Sequence, residues 1–227
     1  MNQVAEINFK KILSPSFLLI FLAVLIGTLV DQSLNKQIEL VIKSPDGLSN
    51  MIWVWGLGSL TSSLFFPLLI SMLCSYTLAN IFFSKRKLLS EKFELALIET
   101  LRAWGKTFLW CFVFIIPGLI KYTYYLMAPF VVLFSKKYER GEVDALVYSE
   151  QLSKKFWWRL NLWLTVFYFI IPLVLSSGLD EYKLFSAHPI TAALGVLLET
   201  VLVFAFHYLI LKLFITYLNE VENAPVI

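Results

Sequence analysis

Five long runs of apolar residues, separated by polar segments, constrain this chain more than any other feature. They cover about residues 14–30, 51–83, 107–135, 160–177 and 189–218. A helix needs about 20 predominantly apolar residues to cross a hydrocarbon core about 30 Å thick. The chain is 59% hydrophobic and only 15% charged, whereas soluble domains average about 45–50% and about 25%. We therefore predict an all-α, polytopic helical membrane protein that forms a single transmembrane domain over residues 1–227.

The segment between the second and third runs has a different pattern. In residues 85–106, apolar side chains recur every three or four positions, and lysine, arginine and glutamate occupy the others. This spacing is typical of an amphipathic helix with one apolar face. Because the segment connects two membrane runs, we expect the helix to lie on the bilayer surface. A soluble partner helix packed against its apolar face is the alternative.

The third run, residues 107–135, contains a Pro-Gly pair, Pro117 and Gly118, followed by Lys121. Proline and glycine together interrupt backbone hydrogen bonding, and the freed groups must be buried against protein rather than lipid. Each half of the run is about 20 Å long if helical, which is too short to cross the bilayer alone. We predict a helical hairpin that turns at Pro117 and Gly118 and re-enters the same side.

The distribution of lysine and arginine supports this hairpin. Basic residues are enriched in the cytoplasmic loops of membrane proteins. If the third run crosses once, nine basic residues lie on each side of the membrane, with Lys121 set aside. If it folds back, fifteen lie on one side and three on the other. We therefore predict four full spans plus the hairpin, with both termini cytoplasmic; two tilted crossings, giving six membrane helices, predict the same sidedness.

Three polar residues inside the apolar runs are candidate site residues. Glu199 lies in the last run, where a carboxylate is costly unless it is paired or protonated and faces the bundle interior. Lys121 is expected at a similar depth, so one hypothesis is that it pairs with Glu199; the favoured interpretation is a neutral structural Glu199 and a snorkelling Lys121. His207 follows Glu199 by two turns and reads as a hydrogen-bonded interface residue, with a proton relay as the alternative.

Part of the chain resembles the DUF975-like and YciC-like group of bacterial integral membrane proteins. The resemblance covers the stretches IPGLIKYTYYLMAPF and DALVYSEQLSKKFWW, about fifty residues in all. The matching residues are Pro117, Gly118, Tyr122, Tyr125, Ala128, Pro129, Ala145, Leu146, Ser149, Leu152, Lys154 and Trp158; Phe130 and Lys155 depart from the pattern. The resemblance implies a multi-pass protein of the bacterial cytoplasmic (inner) membrane, and it implies no reaction.

The sequence contains no motif that indicates catalysis, a cofactor or a metal site. It has no nucleophile elbow and no His-Glu-x-x-His, and Cys74 and Cys111 both lie in apolar runs. We predict a non-enzymatic membrane protein, a scaffold or accessory subunit of a membrane complex. The alternative is a small transporter or lipid-handling protein that uses Glu199. Expected partners are the bilayer, other membrane subunits and anionic lipid headgroups, and no nucleic acid.

Overall fold

A computed structural model describes residues 15–44, 50–82, 86–179 and 181–221. In these residues the regular structure is helical throughout, which confirms the predicted all-α fold. Five stretches are long and apolar enough to cross a membrane: Ser16–Ile42, Met51–Ile81, Ile116–Phe134, Trp157–Leu175 and Pro189–Leu218. Each overlaps one of the five apolar runs, although the first continues to Ile42 and the third begins at Ile116, and they are compatible with an integral membrane protein. The predicted limits at residues 14, 83 and 85 lie outside the described residues.

The first two helices form an antiparallel pair. Helix α1 extends over Pro15–Ile42 and α2 over Met51–Phe82. They approach closely at Gly27, where an added Cβ atom would lie 3.0 Å from Cγ of Phe66. Further along, the hydroxyl of Ser62 donates a hydrogen bond of 2.6 Å to Asp31. The missing side chain at Gly27 therefore allows the phenyl ring of Phe66 to pack against the α1 backbone.

Helix α3 is longer than the predicted amphipathic segment, because it continues past Lys106 and covers Arg86–Val113. Nothing in the sequence stops it at residue 106. The nearest helix-breaking residue is Gly105, and one glycine inside a helix costs only about 1 kcal/mol. The amphipathic segment and about the first quarter of the next apolar run thus form one continuous helix. Its position on a bilayer surface stays a prediction.

The chain then turns back on itself at Phe114, which is extended (φ −156°, ψ 140°) between α3 and helix α4, Ile115–Tyr125. The two helices are antiparallel, since Trp104 lies against Tyr122 with 5.9 Å between ring centres. The turn is thus three residues before the predicted pair. Pro117 instead occupies the first turn of α4, where proline is tolerated because that N–H needs no helical partner.

The segment after α4 is short and largely internal. Helix α5, Ala128–Phe134, has all seven residues buried, and it is followed by α6, Lys136–Glu139, and α7, Ala145–Lys155. The carbonyl oxygen of Tyr124 accepts hydrogen bonds from the hydroxyls of Ser149 (2.7 Å) and Ser153 (3.2 Å). Two serines of α7 therefore satisfy a carbonyl at the end of α4, which stabilises the interruption before α5.

The last part of the chain is a helix with a wide turn followed by the longest helix. Helix α8, Trp157–Thr165, passes through a π-helical turn, Val166–Ile170, into α9, Ile171–Leu179. A 3₁₀ turn, Glu181–Lys183, precedes helix α10, Pro189–Val221. Together with α5, α10 supplies much of the buried core, including Phe206, Ile210, Leu211, Phe214 and Leu218.

Ion pairs connect the basic segments at one end of the bundle. The ammonium of Lys92 on α3 lies 3.3 Å from Glu139 on α6, so the segment from α3 to α6 begins and ends at the same place. Lys155 on α7 lies 2.6 Å from Glu220, near the end of α10. The opposite end holds the residues around Gln32 and the connection between α9 and α10. Which end faces the cytoplasm stays a prediction.

Candidate functional site

A cavity of about 700 Å³ lies between α1, the π-turn with α9, and α10. Such a volume is typical of ligand-binding cavities in proteins. Its walls are mainly aliphatic and aromatic, and few polar side chains reach it. The apolar wall residues include Phe167, Ile171, Leu175, Leu194, Val196, Leu198, Leu202 and Phe206. A cavity with this lining favours an apolar molecule over a small polar one.

Glu199 contributes a carboxylate to this apolar cavity. It is the eleventh residue of α10, about 15 Å from the beginning of the helix, and its side chain is exposed to the cavity. Among the described residues, no hydrogen bond or ion pair holds this carboxylate. Lys183 and Asp31 are close enough to act on its charge, with opposite signs. Glu199 is therefore available to a bound molecule.

Gln32 fixes the polar end of the cavity. Its side-chain amide donates a hydrogen bond of 2.8 Å to the carbonyl of Lys183 and accepts one of 3.2 Å from the backbone N–H of Phe185. On the other side, the hydroxyl of Thr191 donates to the carbonyl of Tyr182 at 3.0 Å. The connection between α9 and α10 is thus attached to both neighbouring helices, and Lys183 is placed beside the cavity.

The π-turn forms the opposite wall. Pro172 has no N–H to donate four residues back, and a π-turn is one way in which a helix accommodates such a gap. The wider turn directs Phe167 and Tyr168 toward Phe206 of α10, with ring centres 5.6 and 5.1 Å apart. Tyr168 also shares a hydrogen bond with the hydroxyl of Tyr122 on α4. The wall is thereby connected to the hairpin.

Lys121 does not pair with Glu199, so the hypothesis of that pair was wrong. Its ammonium lies 3.4 Å from Glu150 of α7 and within 6.0 Å of the ring centres of Trp110, Tyr124 and Tyr125. The prediction placed the hairpin apex at Pro117 and Lys121 just beyond it. Because the turn is at Phe114, α4 carries Lys121 back toward α7, away from the cavity. Three aromatic faces and one carboxylate stabilise the cation there.

His207 is buried and connects two helices. Its Nδ1 lies 2.8 Å from the carbonyl of Val203, so Nδ1 carries the proton and donates it to that oxygen. Nε2 is then the acceptor for the hydroxyl of Ser71 on α2, at 3.1 Å. His207 does not line the cavity that contains Glu199. This geometry supports the interface histidine that the sequence suggested rather than a relay with Glu199.

An ionic cluster that was not predicted from the sequence joins α3 to α7. The guanidinium of Arg102 lies 2.6 Å from Asp144 and 3.2 Å from Glu99. Asp144 also caps α7, because its carboxylate accepts the backbone N–H groups of Leu146 and Val147. An aspartate just before a helical pattern is a capping signal, so the contact of Asp144 with the N–H groups of α7 could have been predicted. The contact of Asp144 with Arg102 depends on how α3 and α7 pack.

The pKa of Asp144 is lowered by this arrangement. Burial raises the pKa of the carboxyl, but hydrogen bonds from Arg102, Val147 and Leu146 outweigh burial and hold the pKa below its ordinary value. The same balance applies to Glu150. Burial raises the pKa of its carboxyl, and the ammonium groups of Lys154 and Lys121 lower that pKa by more. Both carboxylates are therefore charged at neutral pH and act as structural anions.

Comparisons with known proteins identify no relative: no protein-family model, no curated protein and no solved structure matches the chain. The resemblance to the DUF975-like and YciC-like group stays a prediction. In the part of the chain that the structure describes, no three His, Cys, Asp or Glu side chains are grouped so as to hold a metal ion. The cavity around Glu199 is therefore the candidate functional site.

Proposed function

We propose that this protein is a non-enzymatic integral membrane protein that binds a membrane lipid in the cavity between α1, α9 and α10. The observation that carries the proposal is the cavity itself, which is large, mainly apolar and lined by one available carboxylate, Glu199. Around it, α9 and α10 expose large apolar side chains; Leu173 is 71% and Leu194 is 59% exposed. A bilayer would cover these surfaces, so an acyl chain could enter from the side.

Transfer of apolar surface into such a cavity is favourable by about 25 cal/mol per Å² where the surface would otherwise meet water. In a bilayer the acyl chain is already in an apolar phase, so that gain is small. Selective binding must then come from the shape of the walls and from the polar groups at Gln32, Lys183 and Glu199.

Lipid retention by the purified protein tests the proposal. Gly195 lines the cavity, and an added Cβ atom there has no neighbour within 4 Å, so the side chain of Gly195→Leu starts in open space and takes up part of the cavity. Gly105 on α3 is equally open and lies away from the cavity, which makes Gly105→Leu the matched control. We expect lipid bound to the wild type and to Gly105→Leu in mild detergent, measured by native mass spectrometry, and less lipid bound to Gly195→Leu.

If the three proteins retain the same lipids in the same amounts, the cavity is not the binding site and the proposal is wrong. Thermal unfolding of all three in the same detergent controls for misfolding. Both substitutions replace a helical glycine with a better helix former, so we expect neither to lower the melting temperature.

A second candidate function is a scaffold or accessory subunit of a membrane complex. It is favoured by the apolar surface at the beginning of α2, where Trp53 is 73% and Leu57 is 62% exposed beside the polar second half of α1. Such a patch fits another membrane helix as well as it fits lipid. Stoichiometric co-purification of a second membrane protein, lost on Trp53→Ala, would support this function.

A further inference from the structure

The charges at the polar end of the cavity indicate which class of lipid fits it. Glu199 and Lys183 both line the cavity, and the charges of Lys183 and Asp31 act on the Glu199 carboxylate with opposite signs. Asp31 already accepts a hydrogen bond from Ser62, whereas Glu199 has no such partner among the described residues. A carboxylate in apolar surroundings is stabilised by a cation, and its acceptor capacity matches an N–H donor.

We propose that the bound molecule is a membrane lipid whose head carries a primary ammonium, and that Glu199 is the counter-ion of that ammonium. This inference rests on the proposed lipid-binding function. Lys183 is placed to interact with the phosphate of the same head, because Gln32 and Thr191 hold the turn that carries it beside the cavity. The apolar walls of α9 and α10 then accommodate an acyl chain. Glu199 is thus a specificity-determining residue.

The arrangement explains why the cavity has so few polar groups. A zwitterionic head requires one anion and one cation from the protein, and Glu199 and Lys183 are the charged residues that line the cavity in the described part of the chain. A lipid head without an ammonium leaves the carboxylate unpaired and brings its own negative charge close to it. Phosphatidylethanolamine has the required primary ammonium, whereas phosphatidylglycerol has the same phosphate and no ammonium. The two lipids therefore provide a matched pair of probes.

The experiment compares these two lipids, with identical acyl chains, for binding to the purified protein in mild detergent. We expect the wild type to bind phosphatidylethanolamine about tenfold more tightly, the size of one hydrogen bond to a charged group. Glu199→Gln should lose this preference and bind phosphatidylglycerol at least as tightly as the wild type does, because the repulsion between the carboxylate and the lipid phosphate is removed. Glu142→Gln is the control, because it removes the same charge from an exposed turn. Thermal melting verifies that both variants fold.

Equal affinity of the wild type for the two lipids, or a preference that Glu199→Gln retains, would overturn the inference while leaving lipid binding intact. Failure of the wild type to bind either lipid would overturn the proposed function as well. A second copy of the chain is the other possible occupant. An efficient disulfide between two chains that carry Gly195→Cys would show that it covers the cavity and would overturn both proposals.

Discussion

Asp144 connects two helices, α3 and α7, through one carboxylate. Its carboxylate accepts hydrogen bonds from two backbone N–H groups at the start of α7 and forms an ion pair with the guanidinium of Arg102 on α3. We expect Asp144→Ala to lower the free energy of unfolding by about 0.5–2 kcal/mol, the usual cost of losing a helix N-cap. Because Arg102 is 42% exposed, solvent screens its ion pair and little is added. Thermal or denaturant unfolding in detergent measures the change.

Asp144→Asn is the matched variant, since asparagine caps a helix without a charge and should lose less stability than alanine. Its pH dependence separates the two roles. The pKa of Asp144 is lowered in the folded protein, so its charge contributes stability at neutral pH that is lost as the pH falls below the ordinary aspartate value of about 4. The wild type should lose this contribution in acid and Asp144→Asn should not. Equal acid sensitivity would contradict the assignment.

Gly118 is required by a close approach rather than by a turn. An added Cβ atom would lie 2.1 Å from Sγ and 2.9 Å from Cα of Cys111 on the facing helix. We expect Gly118→Ala to destabilise the hairpin by about 1–3 kcal/mol, as overpacking does. Gly105→Ala, where the added atom meets nothing within 4 Å, should be neutral or stabilising. Melting temperatures of the two variants in the same detergent measure the difference.

Cys111→Ala should rescue Gly118→Ala only in part. The substitution removes the sulfur atom but leaves the backbone of Cys111, whose N and Cα both lie 2.9 Å from the added Cβ atom. Full recovery of stability in the double variant would mean that the sulfur alone sets the spacing. No loss of stability in Gly118→Ala itself would contradict the close packing of α3 on α4.

At the scale of elements, the hairpin gives a prediction about sidedness. Lys92 at the beginning and Glu139 at the end of the segment from α3 to α6 form an ion pair, so the segment begins and ends at the same end of the bundle. In a background without Cys74 and Cys111, a cysteine at Glu142 should react with a membrane-impermeant thiol reagent only after cells are opened. A cysteine at Lys36 should react in intact cells. Labelling of both positions in intact cells would contradict the predicted orientation.

The elements that the sequence predicted well are the long apolar runs. The five runs are largely helical in the structure, and the last helix begins at Pro189 as predicted. The turn at Phe114 was missed, because nothing in its local sequence disfavours a helix. Pro117 and Gly118 are strong breakers in isolation, but here they begin a helix and permit its packing. That distinction depends on α3, which is distant in sequence.

At the scale of the whole molecule, Glu199 could be singled out from sequence and its surroundings could not. A carboxylate in an apolar run is visible in any sequence, and the structure does place it in the described cavity. The cavity is built from α1, the π-turn, α9 and α10, whose relative positions follow from packing rather than from any local pattern. For the same reason, the sequence suggested a pair between Lys121 and Glu199, whereas the packing of the helices places Lys121 beside Glu150.

The most direct test of the central claim, that a lipid occupies this cavity, is an experimental density map of the protein in lipid nanodiscs. The account predicts elongated density along the walls formed by Ile171, Leu175 and Leu202, with its polar end beside Glu199. Side chains of α9 and α10 that close the space, or a helix of a second copy seated in it, would contradict the account.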